Sequence, residues 1–506
     1  MNHVRFLSTA SGKTGAAMLL TAATDFLLFD RPAGLSLLLL GLLLATAMIA
    51  AYRPRSTGRG AAAVGVAFLS LLPLFENISV LSVLVALCGL SALALLVSGR
   101  LPSAPASIGK RLAGFLLLAP FRLVTDIFRA RALAATRNTT QATWRAGRLL
   151  VWAMPVLLGA VFIALFSLAN PIIAYWISLI DPWALLDLLD IWRIGFWLVT
   201  AAILWAFLRP RLPAWVRATF SPPAPGDIMP GRGSNAAALV FGRGAILRAL
   251  LVFNLLFAVE TLLDAAYLWG GVKLPNGLSH ADYAHRGAYP LIATALLAAI
   301  FVLIAMRPGS ATSADRLVRR LIYLWTAQNV MLVISSILRL DLYVSIYSLT
   351  YWRIAAFIWM GLVAAGLILI MVRIAFEKSN DWLLSANLAT LAATLYACCF
   401  VNFASMIAHY NVTHSWEATG RGLALDRCYF GSLGPAVIPA IDRFLAQPGA
   451  GDTDLGRMME TVRMAEVDRL LGQRGDWHAW TFRGWRLTDY VIGREAQAPN
   501  ATVPGL

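Results

Sequence analysis

Residues 251–269 read LVFNLLFAVETLLDAAYLW, an apolar run interrupted by only a few polar side chains. An apolar helix of about 20 residues is long enough to cross the hydrocarbon core of a bilayer. Runs of this kind recur along most of the 506 residues, of which 59% are hydrophobic and only 13% are charged. A soluble domain has about 25% charged residues. The sequence therefore predicts an all-α, polytopic transmembrane helical bundle.

Apolar length and flanking charge predict eleven membrane spans. The N-terminal run is predicted to be a retained span rather than a signal peptide, because no small-residue cleavage site follows it and a second apolar run begins at once. The spans are expected near residues 15–30, 34–51, 61–75, 78–98, 149–169, 193–208, 246–269, 289–306, 320–338, 352–372 and 382–403.

The distribution of arginine and lysine predicts the orientation of these spans. In bacterial inner-membrane proteins, short cytoplasmic loops are enriched in both residues. Four basic segments alternate so that they share one side: 52–60, 99–148, 209–245 and 307–320. A cytoplasmic N-terminus and eleven crossings then place the C-terminus outside the cytoplasm. Residues 404–506, with ten arginines and eleven acidic residues, agree with that placement.

This pattern divides the chain into six segments. One of them is a linker between two halves of the membrane region, and it contains the Pro/Gly-rich stretch SPPAPGDIMPGRGSNA (221–236). We expect a four-span region at 1–98, a basic cytoplasmic segment at 99–148, a two-span region at 149–208, a cytoplasmic linker at 209–245, a five-span region at 246–403 and an extracytoplasmic helical tail at 404–506.

One segment leaves the topology open. Residues 112–128, LAGFLLLAPFRLVTDIF, have helical apolar periodicity but contain Arg122 and Asp126, which are costly in the middle of a bilayer. We therefore predict an amphipathic helix on the cytoplasmic surface. If this segment spans the membrane instead, the tail lies in the cytoplasm.

The first candidate site is a set of polar residues at residues 254–286. Glu260 and Asp264 are four residues apart and share one helical face, and Asn254 lies deeper in the same predicted helix. Ionisable residues inside a span are functional candidates by default. The alternative is structural pairing of the two acids in the outer half of the helix. His285 and Arg286 begin the next span on the same side and are expected to face the acids under either interpretation.

A second polar cluster lies in RLDLYVSIYSLTYWR, residues 339–353. Tyr343, Tyr347 and Tyr351 repeat every four residues, so they predict one aromatic stripe. Such a stripe is more often an interfacial anchor or a packed face than a ligand site. The candidate site residues in this cluster are Arg339, Asp341, Tyr347, Thr350 and Arg353.

Several classes of function are not indicated. Loop arginines account for the net charge of +16, so no nucleic-acid partner is expected. His409, His414 and Cys428 do not have the spacing of a standard metal site, and no cofactor-binding motif occurs, so neither a metal nor a cofactor is predicted. The lipid bilayer is the expected partner, with a possible extracytoplasmic protein partner for the tail.

The second half of the chain resembles a bacterial multi-pass membrane family known as domain of unknown function 4173. The similar segments are YAHRGAYPLIATALLAAIFVLI (283–304), LRLDLYVSIYSLTYWRIAAFIWM (338–360), YNVTHSWEATGRGLALDRCYFGSLGPAVIPAI (410–441) and WTFRGWRL (480–487). A sister family shares the Tyr-x-Leu-Thr-x-x-Arg element of residues 347–353, and Ser348 stands where such proteins often have glycine. The resemblance implies a fold type and a membrane location but no reaction. It also marks Tyr283, Arg286, Gly287, Thr350 and Arg353 as positions that matter.

Three functional hypotheses remain. The first is transport or permeation of a cation, proton or polar solute at Glu260 and Asp264, with Arg286 or His285 as counter-charge. The second is a sensory or envelope-assembly protein that acts through its tail. The third is a membrane-embedded enzyme that acts on lipid or glycan, in which the carboxylates and His285 serve as acid and base.

Overall fold

A computed structural model describes residues 10–52, 56–101, 105–137, 190–210, 243–266 and 315–497, together with a few isolated helical positions between 155 and 301. Within these ranges the regular structure is entirely helical, which confirms the predicted all-α class.

The membrane region contains eleven of the described helices. They are α1 (Ala10–Leu28), α2 (Leu35–Tyr52), α3 (Thr57–Glu76), α4 (Val80–Val97), α5 (Pro105–Leu118), α6 (Arg122–Arg137), α7 (Ile191–Leu208), α8 (Arg243–Asp264), α9 (Arg316–Tyr347), α10 (Tyr351–Ala375) and α11 (Asn380–Cys398).

The C-terminal tail contains six further helices. They are α12 (Phe403–His414), α13 (Trp416–Thr419), α14 (Arg427–Ser432), α15 (Ile438–Leu445), α16 (Asp454–Gly472) and α17 (Phe482–Gln497), with short 3-10 turns at Gly434–Val437 and Trp477–Ala479.

Seven helices in the described ranges are long and apolar enough to cross a membrane, namely α2, α3, α4, α7, α8, α9 and α10. The number becomes eight if α11 and α12, which are bent by 69° relative to each other, are counted as one span. The predicted count of eleven is therefore not confirmed. The predicted spans at 149–169 and 289–306 lie outside the described residues, and α1, at the predicted span 15–30, is not among the seven.

Most helices begin where a side chain can satisfy their free backbone N–H groups. The Ser79 hydroxyl accepts a hydrogen bond from the N–H of Ser82, and Ser82 reciprocates to form a capping box at α4. The Asp315 carboxylate accepts hydrogen bonds from two N–H groups in the first turn of α9. Because Ser and Asp are favoured at N-caps, these helix starts are encoded locally.

The chain forms two compact units. The first contains residues 1–101, 110–219 and 477–479, and the second contains residues 102–109, 220–476 and 480–506.

In the first unit, α3 and α4 form a closely packed pair. A Cβ atom at Gly89 would lie 1.9 Å from Ser70 Oγ, so only glycine allows this separation. The residues of the Trp477–Ala479 turn also contact the start of α2, where the His478 carbonyl accepts a hydrogen bond from Ser36 Oγ (3.4 Å).

The segment 112–128 is not the single amphipathic helix that its periodicity predicts. Residues 119–121 form a turn between α5 and α6. Pro120 explains the break, because proline lacks an N–H group and disfavours helical geometry in the residue before it. Neither α5 nor α6 is among the helices that could cross a membrane.

The second unit has a bundle of four long helices. Arg243 pairs with Asp315 at one end of α8 and α9, and Asp264 pairs with Arg339 further along, so these two helices run in the same direction. A core of Ile, Leu, Val and Trp side chains from α8, α9, α10 and α11 fills the interior, with Ile322 and Leu250 fully buried.

The tail packs on the three-residue connection between α9 and α10. Asn411 of α12 accepts a hydrogen bond from the Leu349 N–H (2.6 Å) and donates one to the Leu349 carbonyl (3.0 Å). Leu349, Val344 and Ile354 join the buried core of the tail. The tail therefore lies at the end of the bundle where α9 finishes.

Candidate functional site

A polar seam runs along the interface between α8 and α9. On α8 it is formed by Asn254 and Asp264, both of which are buried, and by the half-exposed Glu260. On α9 the matching side chains are Gln328, Ser335 and Arg339, which recur at seven and then four residues and so share one helical face.

An ion pair closes the seam at the end nearest the tail. The Asp264 carboxylate is paired with the Arg339 guanidinium and also accepts a hydrogen bond from Ser335 Oγ (2.5 Å). The side chains of Asp264 and Arg339 are only 2% and 5% exposed. Charged side chains are rarely buried unless they are paired and hydrogen-bonded, and the Asp264 side chain is both.

Glu260 sits at the edge of this pair. Its carboxylate lies 3.5 Å from Arg339 Nη2, and its side chain is 41% exposed. One guanidinium thus serves two carboxylates that are one helical turn apart, with Asp264 enclosed and Glu260 accessible.

Amide groups continue the seam toward the middle of the two helices. Asn254 Nδ2 donates to the carbonyls of Leu250 (2.8 Å) and Leu321 (3.1 Å), and Gln328 Nε2 donates to the Asn254 carbonyl (3.2 Å). Within the described part of the chain, Asn254 Oδ1, Gln328 Oε1 and Trp325 Nε1 are buried without a hydrogen-bond partner. Buried polar atoms normally have one, so each such atom needs an explanation.

The far end of α8 and α9 carries a more exposed pair. Arg243 Nε bonds the carboxylate of Asp315, the N-cap of α9, and the Arg243 side chain is mostly exposed. The hydrogen bond from Arg243 and then those from the first N–H groups of α9 hold the pKa of Asp315 below its ordinary value.

The structure divides the second predicted cluster. Arg339 belongs to the ion pair with Asp264, whereas Asp341 is exposed two residues further along α9. Arg353 donates to the carbonyls of Tyr347 and Ser348, so it caps the C-terminal end of α9, where a cation is favoured.

The predicted aromatic stripe is shorter than expected. Tyr343 and Tyr347 stack with their ring centroids 4.6 Å apart, and the Arg353 guanidinium lies 4.8 Å over the Tyr343 ring. Tyr351 opens the next helix, α10, with Thr350 at its N-cap position. The stripe ends because α9 stops at Ser348, whose φ of 70° is a conformation that favours glycine.

The other predicted site residues cannot be compared with the geometry. His285 and Arg286, together with Tyr283 and Gly287, lie outside the described residues. The counter-charge that the structure does place beside Asp264 and Glu260 is Arg339, which sequence reasoning had assigned to a different cluster. The available signal was the four-residue spacing of Ser335, within the predicted span 320–338, and Arg339, directly after it.

The chemistry of the site is that of carboxylate and amide oxygens beside a fixed cation. Such oxygens suit a proton or a hard cation such as Na⁺ or Mg²⁺. In the described ranges, no group of three or more His, Cys, Asp or Glu side chains could hold a metal ion.

The comparisons with known proteins extend over most of the chain. A family model described as "Domain of unknown function (DUF4153)" matches residues 15–444. No curated protein and no solved structure matches the chain. The family expected from sequence resemblance, domain of unknown function 4173, is a different one, although both are domains of unknown function. The chain is an integral membrane protein that belongs to the DUF4153 family.

Proposed function

We propose that this protein mediates transport or permeation of a proton or small cation across a bacterial inner membrane. The observation that best supports this proposal is the polar seam between α8 and α9, where the accessible Glu260 carboxylate lies beside the buried Asp264–Arg339 pair. Ionisable residues inside spans are costly and characteristically mark ion or proton pathways.

The two carboxylates have different roles in this proposal. Asp264 is held by Arg339 and Ser335, so it fixes the position of the guanidinium. Glu260 is accessible, and its contact with Arg339 is longer, at 3.5 Å. A proton or cation arriving at Glu260 therefore displaces only this weaker contact. The Asn254 and Gln328 oxygens, which have no partner in the described ranges, then offer further oxygen contacts deeper in the seam.

The proposed orientation places the tail outside the cytoplasm. Arg243, Arg319 and Lys378 lie at the end of the second unit's bundle that is opposite the tail, and the positive-inside rule assigns such an end to the cytoplasm. Cys428, which is exposed in the tail, provides a direct test. A membrane-impermeant maleimide should label it in spheroplasts, and the Cys428→Ser variant should lose that label. Labelling only after lysis would place the tail inside.

Flux through reconstituted protein tests the activity itself. The full-length chain would be placed in liposomes that contain a pH-sensitive or a cation-sensitive dye, and ion entry would be followed under an imposed potential. We expect Glu260→Gln to reduce the flux at least about tenfold, because the accessible carboxylate is lost while its size is kept. Asp264→Asn should also reduce it.

Glu377→Gln is the matched control, because Glu377 follows α10 and its side chain is 80% exposed. It should leave the flux unchanged. Unaltered flux in the Glu260→Gln, Asp264→Asn double variant, in protein shown to be folded, would refute the proposed site. Absence of flux for H⁺, Na⁺ and K⁺ in the unmodified protein would refute the transport function.

A second candidate function is a sensory or envelope-assembly role for the tail. It is supported by the direct bonding of the tail to the α9–α10 connection through Asn411, which links any tail ligand to the membrane helices. A photo-crosslinking amino acid at Met464, an exposed position on α16, should capture a specific protein in cells under this hypothesis. Crosslinking with no specific product would count against it.

A further inference from the structure

The helix α7 of the first unit carries the same residue pair at each end in mirrored order. Arg193 and Trp197 lie near its beginning, and Trp205 and Arg209 lie at its end. Each pair faces one aspartate from another helix, Asp25 of α1 or Asp126 of α6.

The Asp25 end has the more regular geometry. The Asp25 carboxylate accepts hydrogen bonds from Arg193 Nε (2.9 Å), Arg193 Nη2 (2.5 Å) and Trp197 Nε1 (2.8 Å). Arg193 is 46% exposed, and its third nitrogen, Nη1, is not used by Asp25. An arginine that is oriented in this way and has a donor to spare is suited to binding a phosphate oxygen.

The Asp126 end is tied more closely into the protein. Asp126 accepts a hydrogen bond from Trp205 Nε1 (3.1 Å) and lies 3.5 Å from Arg209 Nη1. The backbone carbonyl of Arg209 accepts a hydrogen bond from Arg122 Nη1 (2.9 Å). This end therefore closes the space between α6 and α7 rather than presenting a free donor.

A cavity of about 750 Å³ lies between the two ends, bounded by α1, α6 and α7. This volume is within the range of small-molecule sites, about 300–1,000 Å³, which are typically apolar with a few polar groups. Small and apolar side chains form most of its wall, including Ala17, Met18, Ala22, Ile127, Leu198 and Ala201. Met18 and Leu198 are also exposed at its opening.

We propose that this groove, bounded by α1, α6 and α7, binds an anionic phospholipid, with one acyl chain along α7 and the phosphate at Arg193. The polar ends of α7 are roughly 24 Å apart, at 1.5 Å per residue, and half the hydrocarbon core is about 15 Å thick. The groove is therefore long enough to hold an acyl chain that enters from one leaflet. From the Arg193 end inward, a polar group is followed by an apolar wall, which is the order of headgroup and chain in a phospholipid.

Photo-crosslinking in nanodiscs tests this proposal with the full-length chain. The probe is a phosphatidylglycerol with a diazirine on one acyl chain, and labelled peptides are located by mass spectrometry. We expect labelling to be concentrated on the groove-facing residues of α1 and α7. Ala22→Trp, which fills the groove, should reduce that labelling several-fold.

Leu19→Trp is the matched control, because Leu19 is exposed on α1 and is not part of the groove wall. It should leave the labelling unchanged. If Ala22→Trp does not yield folded protein, Met18→Trp replaces it, since Met18 is exposed and faces the groove.

Two further experiments identify the chemical class of the ligand. Arg193→Gln should reduce labelling by the phosphatidylglycerol probe, and the equivalent phosphatidylcholine and fatty-acid probes should label less than phosphatidylglycerol in the unmodified protein. Equal labelling of the Ala22→Trp and Leu19→Trp variants, or equal labelling by all probes, would show general bilayer contact only and would overturn the proposal.

Discussion

The ion pairs of the two units are chemically alike but differ in their surroundings. In the second unit, Asp264 and Arg339 are almost completely buried between helices. In the first unit, Asp25 and Arg193 lie near helix ends, and the arginine is 46% exposed. Breaking a buried pair leaves an uncompensated charge, whereas an exposed pair is screened by its surroundings. We infer that burial, and not charge alone, decides how much each pair matters.

Removing the buried cation should have the largest effect. Arg339→Leu takes the guanidinium from the buried Asp264 carboxylate and should lower the free energy of unfolding by about 3–5 kcal/mol. Unfolding of the protein in mixed micelles would measure the loss. The Asp264→Leu, Arg339→Leu double variant should recover most of it. A double variant that is less stable than either single variant would contradict this account.

A buried neutral contact tests whether charge is needed for a large effect. Asn411→Ala removes two hydrogen bonds and leaves the Leu349 N–H and carbonyl buried, which should cost about 2–3 kcal/mol. Asn387→Ala is the control, since within the described part of the chain Asn387 Nδ2 donates only to the Leu383 carbonyl of its own helix. Hydrogen exchange at Leu349 and in α12 would report the difference. Equal effects of the two substitutions would argue against a special role for burial.

A substitution at Ser348 should increase stability, in contrast to the two substitutions above. With φ at 70°, Ser348 occupies a conformation that is costly for residues other than glycine. Ser348→Gly should therefore stabilise the connection between α9 and α10 by about 1 kcal/mol. Ser345→Gly, three residues earlier within α9, should destabilise by a similar amount. Thermal unfolding of both variants would reveal whether the signs differ as expected.

The pair of the first unit is partly exposed, with Arg193 at 46% and Asp25 at 15%, and should matter little for stability. Asp25→Asn keeps the shape of the side chain and removes its charge, and it should change the free energy of unfolding by about 1 kcal/mol or less. The same mixed-micelle assay used for Arg339→Leu gives the comparison directly. A loss as large as that of Arg339→Leu would show that exposure does not distinguish the two units.

The smallest effect is expected at Asp315 of the second unit, whose partner Arg243 is mostly exposed. Its pKa is lowered, first by Arg243 and then by the N–H groups of α9. The associated stabilisation is therefore fully present above the unfolded pKa of about 3.9 and is lost as the pH falls through the lower folded pKa. Asp315→Asn keeps a good N-cap and should remove this acid dependence. Hydrogen exchange in the first turn of α9, measured between pH 5 and 3, tests it.

The sequence was sufficient for the parts of the fold that depend on local pattern. Apolar length predicted most of the helices, and the four-residue spacing predicted that Glu260 and Asp264 share a face. The span predicted at 320–338 is only part of a longer helix, α9, which begins at Arg316 and ends at Tyr347. No residue breaks the helix at the end of the predicted span, so α9 continues to Tyr347, and Arg339 turns toward α8.

The contacts between distant segments could not be predicted in this way. The pairing of Arg339 with Asp264 depends on the parallel arrangement of α8 and α9, which no local pattern specifies. Likewise, Asn411 gives no sequence signal for its two bonds to Leu349, since it is one polar residue in an ordinary helix. The break between α5 and α6 could have been predicted from the sequence, because Pro120 lies within the periodic segment.

Helix α9 is long and uninterrupted, so its two ends are mechanically connected. Its 32 residues extend roughly 48 Å, which exceeds the thickness of a bilayer's hydrocarbon core. The tail contacts Leu349, two residues after the C-terminal end of α9, and Arg339 is about 12 Å from Tyr347 along the same helix. Only three residues separate α9 from α10, so this connection is too short to absorb a displacement of the tail. We infer that a displacement of the tail would be transmitted along α9 to the Arg339 guanidinium, which contacts Glu260 and Asp264.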